Sequence, residues 1–185
     1  MGDPVFPDLR DSSAPIPRSP SRGAGERFFS EDELETWVPF AALLELLPHE
    51  LDQQLSRDES LTHFEYFVLS MLTNSPDRRL AMTPLAAMTN ATLPRLSRVV
   101  TKLEERGFAR RVSSETDARV TVVEITAQGR RKVLAATPGH VANVRRLILE
   151  ALTEDQAVAL RGITSAILAR VDPEGRTAAA RPRKV

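Results

Sequence analysis

"TNATLPRLSRVVTKLEERGF", residues 89–108, decides how this chain is read. Thr92 stands where a helix N-cap would accept a backbone N–H, and Pro94 falls in the first turn, where a missing amide donor costs little. Gly107 marks the stop, because glycine enters the left-handed cap conformation without strain. At about 100° per residue, Leu93, Leu96, Val99, Val100 and Leu103 gather on one side. Arg95, Arg98, Lys102 and Arg106 fall on a neighbouring face. If the apolar side packs inward, the basic face is directed outward. A helix N-terminus is itself an anion site, and arginines in its first turns suit phosphate clamping and bidentate contacts to guanine. An ordinary amphipathic surface helix is the other reading of this segment taken alone.

The preceding "TPLAAMTNA" predicts a short helix over 84–89, capped by Thr83 with Pro84 at its first position, then a tight turn. That pair of helices has the form of a helix–turn–helix. "FARRV" and "RVTVVEI" follow, rich in β-branched residues around the polar tip "SSETDA", and predict a hairpin that forms a two-stranded wing. Near its tip Asp117 stands two residues from Arg119. A carboxylate beside a guanidinium holds it in one orientation, which helps an arginine reach a phosphate or a narrow minor groove. Otherwise the two would form a surface ion pair of little consequence.

Helix starts elsewhere are legible as capping boxes: Ser30 with Glu33, Thr62 with Glu65, and Thr153 with Gln156. They predict helices over about 31–57, 63–74 and 154–171. Breaks or kinks are expected at Pro39 and Pro48. "RLAM" (79–82) reads as a short extended piece. Thr126 predicts the start of a long helix that passes Thr137-Pro138-Gly139, with a kink, and ends near Leu152.

The 185 residues carry 25 Lys and Arg against 25 Asp and Glu, yet the charges are segregated along the chain. From 26 to 77 acids dominate, with only Arg27 and Arg57 opposing them, whereas from 92 to 132 bases dominate. Such asymmetry fits an anionic partner for the basic part, or else a solvated surface. With no cysteine, disulfides and thiolate metal sites are excluded. His49, His63 and His140 show no metal-ligand spacing, and no glycine-rich phosphate loop, nucleophile elbow or H-E-x-x-H pattern is present. Neither a cofactor nor enzymatic activity is expected. No apolar run of about 18 residues and no secretory h-region is seen, so a cytoplasmic protein without a membrane partner is expected.

Residues 1–29 read as a disordered Pro-, Ser- and Arg-rich arm and 173–185 as a disordered basic tail; Arg18, Arg22, Arg181, Arg183 and Lys184 could add non-specific DNA affinity. "VRRLILEAL" and "AVALRGITSAILARV" carry apolar stripes broader than a small winged lobe needs, which suits burial against a second copy; packing within the chain is the alternative.

"LTHFEYFVLSML", "MTPLAAMTNATLPRLSRVVTKLEERGFARR" and "DARVTVVEITAQGRRKV" together resemble the MarR family of winged helix–turn–helix transcriptional regulators, over residues 30–172. The D-x-R wing followed by the "ITAQGR" helix start is specific in that combination. The resemblance implies a mainly α fold with a small β wing: a winged lobe over about 61–125, and dimerisation helices over about 31–57 and 127–171. It implies a homodimeric, sequence-specific regulator of double-stranded DNA on a pseudo-palindromic operator, by family default a repressor. Thr92, Pro94, Arg95 and Arg98 would lie at the reading end of the recognition helix with Lys102 beyond them; Arg119 would be the wing contact and Asp117 its orienting partner. It further implies release of DNA by a small aromatic or anionic effector, with Trp37, Phe40, His63, Phe64, Tyr66 and Phe67 as candidate ligand residues. Core packing is the competing reading of those rings. The alternative function for the whole is a winged-helix protein-interaction module without specific DNA binding.

Overall fold

The computed structural model describes residues 28–114, 117 and 119–177. The arm up to residue 27, the tail from residue 178 and three positions of the wing tip (115, 116 and 118) lie outside the described residues. Two compact units are distinguished, Met1–Phe40 and Ala41–Val185. The elements in order are α1 (Glu31–Glu59), α2 (His63–Thr73), β1 (Arg79–Ala81), α3 (Met82–Met88), α4 (Leu93–Glu105), β2 (Ala109–Ser113), β3 (Thr121–Ile125), α5 (Ala127–Val144) and α6 (Glu154–Val171). The fold is mainly α with a small antiparallel sheet, the winged-helix arrangement.

Local chemistry sets most of the boundaries. The three capping boxes form as the sequence predicts. Glu33 N–H donates to Ser30 Oγ (3.3 Å) and Ser30 N–H to the Glu33 carboxylate (3.0 Å). The Thr62–Glu65 box closes at 3.0 and 3.1 Å, and the Thr153–Gln156 box at 2.9 and 3.3 Å. Each box satisfies two amides that would otherwise lack an intrahelical acceptor.

Three expectations need correction. α1 runs unbroken through Pro39 and Pro48. Each proline removes one amide donor, and the cooperative ladder on either side carries the helix across that gap. α3 begins at Met82 with Ala81 as its N-cap, so Thr83 is not the cap. Pro84 then stands at the third helical position, where the amide would have no intrahelical acceptor in any case. α5 passes through Pro138 as the sequence predicts, but its α-helical part ends at Val144, short of the expected Leu152. The irregularity comes later, in a π-helical turn at Arg145–Leu149, where Glu150 N–H reaches the Arg145 carbonyl at 2.9 Å.

The predicted two-stranded wing forms from β2 and β3, and the short extended piece before the helix–turn–helix joins it as a third strand, in the order β1-β3-β2. Leu80 pairs with Val123 on one side of β3, and Arg111 pairs with the same residue on the other. The short piece before the helix–turn–helix therefore returns to cover the edge of β3 that the hairpin leaves open.

The core of the second unit is built from Leu55, Leu61, Val68, Leu69, Leu72, Leu85, Leu96, Val100, Leu103 and Val123, all fully buried. Each contributes about 1.5–3 kcal/mol by leaving water. Three of them come from α4, whose inner face is thereby fixed. Leu93 is the exception to the expected stripe: at the helix tip it stays 47 % exposed. α6 has no buried residue, and Val158, Ile163, Ile167, Leu168 and Val171 are exposed along it. Leu43, Leu44 and Leu46 on α1 and Leu134 and Leu149 are exposed as well. Among the described residues no helix is long and apolar enough to cross a membrane.

Candidate nucleic-acid interface

The turn that aims α4 follows from its residues. Thr89 Oγ1 donates to the Leu85 carbonyl (2.8 Å), closing the end of α3. Asn90 takes the left-handed backbone (φ 48°), which asparagine tolerates better than most side chains. Ala91 N–H returns to the Ala86 carbonyl at 2.9 Å. Thr92 then caps α4, its hydroxyl accepting from Arg95 N–H at 3.4 Å, with Pro94 in the first turn. At the far end Gly107 (φ 70°) supports a paired closure: its N–H reaches the Glu104 carbonyl (2.9 Å) and that of Phe108 reaches Leu103 (2.8 Å). That is the Schellman arrangement, with the apolar Phe108–Leu103 pair buried beneath it.

With Leu96, Val100 and Leu103 inside, Thr92, Pro94, Arg95, Arg98 and Lys102 are all exposed on one helix. Among the described residues Arg98 and Lys102 have no ion pair or hydrogen bond from their side chains. The Arg95 guanidinium carbon lies 4.2 Å from the centre of the Phe64 ring.

Arg106 departs from the expected ridge. Its guanidinium donates to the Glu65 carboxylate (3.2 Å) and the Ser60 carbonyl (2.7 Å), and it lies over the Phe108 ring at 4.8 Å. The first turn of α2 stands against that end of α4 and takes the charge. Three other bases of the positive half are neutralised in the same way. Arg110 pairs with Glu124 (3.1 Å) across the β2–β3 ladder, and Lys132 pairs with Glu59 at 2.7 Å. Arg111 pairs with Glu104 and donates to the Ser97 carbonyl (2.8 Å) and Thr101 Oγ1 (3.2 Å). Arg111 thus straps the first wing strand along α4, a role for which sequence alone gave no signal. What remains uncompensated on α4 is its N-terminal and central part.

On the wing, Asp117 accepts from the backbone N–H of Arg119 at 2.9 Å. Its own carbonyl accepts from Val120 N–H at 3.0 Å. The sequence reading placed the Asp117 carboxylate beside the guanidinium; it holds the main chain instead. Asp117 therefore shapes the turn on which Arg119 sits, as short carboxylates do in loops. The Arg119 side chain is exposed and unpaired among the described residues.

The aromatic candidates fall into two groups. In the first unit Trp37, 45 % exposed, lies 6.4 Å from Phe29 and 6.3 Å from Phe40 between ring centres. In the second, His63 lies 5.7 Å from His140, whose ring is 4.8 Å from Tyr66; the Tyr66 hydroxyl meets Thr137 Oγ1 at 3.1 Å. His63 N–H is held by Asp52 at 2.8 Å, and Phe67 is half-buried. Burial pushes the His63 imidazole below its ordinary value, partly opposed by the Asp52 carboxylate. Burial, and then the neighbouring His63, push His140 down. Buried polar atoms of Gln54 (Oε1), His140 (Nδ1) and Asn143 (Nδ2) have no partner among the described residues. His140 could not be picked out from sequence, because its neighbour stands on a distant helix.

Comparison with known proteins places this geometry. The model of the MarR family matches residues 60–120, from the start of α2 to the wing. The DNA-bound crystal structure of Sco3205, a MarR family transcriptional regulator from Streptomyces coelicolor, is similar at 33 % identity with a TM-score of 0.77. The match covers 82 % of this chain and 94 % of that one. AbsC, a MarR family transcriptional regulator of the same organism, is 28 % identical over 79 % of this chain and 98 % of its own, with a TM-score of 0.74. YetL, an HTH-type transcriptional repressor of Bacillus subtilis, is 27 % identical over 84 residues; the chain spans half of that relative's length. Identity of 33 % across nearly all of a solved family member, on the same fold, shows that this chain belongs to the MarR family of DNA-binding, winged helix–turn–helix transcriptional regulators.

Proposed function

We propose that this regulator is a homodimeric repressor that reads a pseudo-palindromic operator in the cytoplasm. α4 enters the major groove with its N-terminal end. Thr92 and Pro94 shape that end, Arg95 reaches base edges, and Arg98 and Lys102 hold phosphates. Arg119 reaches the adjacent minor groove from a turn shaped by Asp117. The observation that carries this reading is the pairing pattern. The bases on β2 and at the end of α4 are matched by acids, whereas Arg98, Lys102 and Arg119 have no acid partner among the described residues. Cations left uncompensated on one exposed helix and its wing are suited to polyphosphate.

The exposed apolar residues of α6, with those of α5 and α1, support association with a second copy. Two-fold symmetry would then set half-sites one helical turn apart, about 34–36 Å. Repression rests on the likeness to YetL, which is a repressor. Release by a small aromatic or anionic molecule rests on the aromatic and histidine candidates Trp37, Phe40, His63 and Phe67. Selection of bound fragments from the organism's genomic DNA, with sedimentation of the complex, tests the whole. The expected result is an inverted repeat bound by two chains. Unenriched fragments, or one chain on a single half-site, would overturn it.

A further inference from the structure

We propose that Phe64, in the first turn of α2, is a positioning residue that presets Arg95 for base reading; this rests on α4 being the reading helix. The Phe64 ring is half-buried and packed against the core, and the turn that bears it is locked by the reciprocal Thr62–Glu65 bonds at 3.0 and 3.1 Å. It is therefore a fixed platform. The Arg95 guanidinium lies over it at 4.2 Å, and Arg95 itself is the third residue of α4, with its backbone N–H on Thr92. A ring covers one face of a guanidinium and leaves its edge of N–H donors free. Bidentate contact with guanine uses that edge.

The neighbouring pair sharpens the point. Phe64 and Glu65 are consecutive, and each receives one arginine of α4. Glu65, a carboxylate, takes the donors and charge of Arg106. Phe64, an aromatic ring, orients Arg95 without consuming its hydrogen bonds. Arg98 and Lys102, with no such platform among the described residues, must surrender more rotamer freedom when they engage DNA. Arg95 has given up part of that freedom in the free protein, which favours a defined base contact over a diffuse phosphate one.

The test is a double-mutant cycle on the full chain, read by fluorescence anisotropy on the selected operator and on a scrambled duplex. Phe64→Leu should weaken operator binding about two- to fivefold and leave scrambled binding nearly unchanged. Phe64→Tyr should restore it. In an Arg95→Ala background Phe64→Leu should have no further effect. Tighter binding by Phe64→Leu would show that the ring parks Arg95 away from DNA, and would overturn the proposal. A loss that persists without Arg95, or that Phe64→Tyr fails to rescue, would do the same. If Arg95→Ala alone changes nothing on either duplex, it is the reading of α4 that fails, and the proposal falls with it. A measurement independent of Phe64 variants is the ring-current shift of the Arg95 side-chain resonances. It should be present in the free protein and retained in the complex, and its absence from the free protein would also overturn the proposal.

Discussion

The Glu65 carboxylate lies 3.2 Å from the Arg106 guanidinium, and the same oxygen accepts from Thr62 N–H at 3.0 Å. One buried acid thus starts α2 and ties down the end of α4. The contact joins the acidic front half of the chain to the basic middle, and it divides the bases of α4 into two groups. Arg106 is tied into the scaffold, whereas Arg95, Arg98 and Lys102 have no acid partner among the described residues.

Arg106→Ala should accordingly lower folding stability by about 2 kcal/mol, because a nearly buried carboxylate loses its counter-charge at a contact one-third open to water. Urea unfolding measures this. The salt dependence of DNA binding should not change, since Arg106 neutralises no phosphate. Unchanged stability with a shallower salt slope would reverse the assignment.

Arg119→Ala and Arg95→Ala should separate two kinds of contact. The first should weaken binding to operator and scrambled duplexes alike. The second should cost about 1–3 kcal/mol more on the operator than on the scrambled duplex. Equal losses on both duplexes for both variants would contradict the division.

Gly129→Ala should cost about 3 kcal/mol or more, or prevent folding. A Cβ at this position would lie 2.0 Å from the Phe108 carbonyl oxygen and 2.9 Å from the Ile125 side chain. The backbone atom cannot step aside without opening the Gly107 turn, to which Thr126 also donates at 2.7 Å. Circular dichroism melting decides it, and a wild-type midpoint would contradict this packing.

The half-buried histidine pair predicts a pH effect of defined sign. His63 and His140 titrate below their ordinary value of 6.5 in the folded chain, so the unfolded chain takes up protons first as pH falls. Stability from keeping them neutral is complete above about pH 6.5 and is lost as pH falls through the window below it. Urea midpoints at pH 7.5 and 5.5 should therefore differ less in a His63→Gln/His140→Gln variant than in the wild type. An equal difference in both would contradict the partial burial of the pair.

Features set by neighbours in sequence were legible before the structure. The Ser30, Thr62 and Thr153 boxes, the Thr92 cap and the Gly107 closure each depend on residues within five positions of one another, and all of them form. Features set by distant partners were not. Arg106 and Glu65 are 41 positions apart, and no periodicity marks them as partners. The short strand at Arg79–Ala81 was legible, but its pairing was not, because its partner β3 lies across the whole helix–turn–helix. Asp117 and Arg119 show a subtler limit. Their closeness was visible, but a carboxylate two residues before an arginine can hold its side chain or its amide, and the turn geometry selected the amide. The prolines of α1 were overweighted as helix breakers, because a long ladder tolerates single missing donors.

The central claim is that the outer face of α4 meets polyphosphate, and the salt dependence of DNA affinity tests it most directly. Affinity for the selected operator should fall linearly on a log–log plot as salt rises, with a slope of about −0.9 for each phosphate neutralised. The variant Arg98→Ala/Lys102→Ala should flatten that slope by roughly 2 while folding as the wild type does. A slope near zero in the wild type, or one unmoved by the double substitution, would contradict the account.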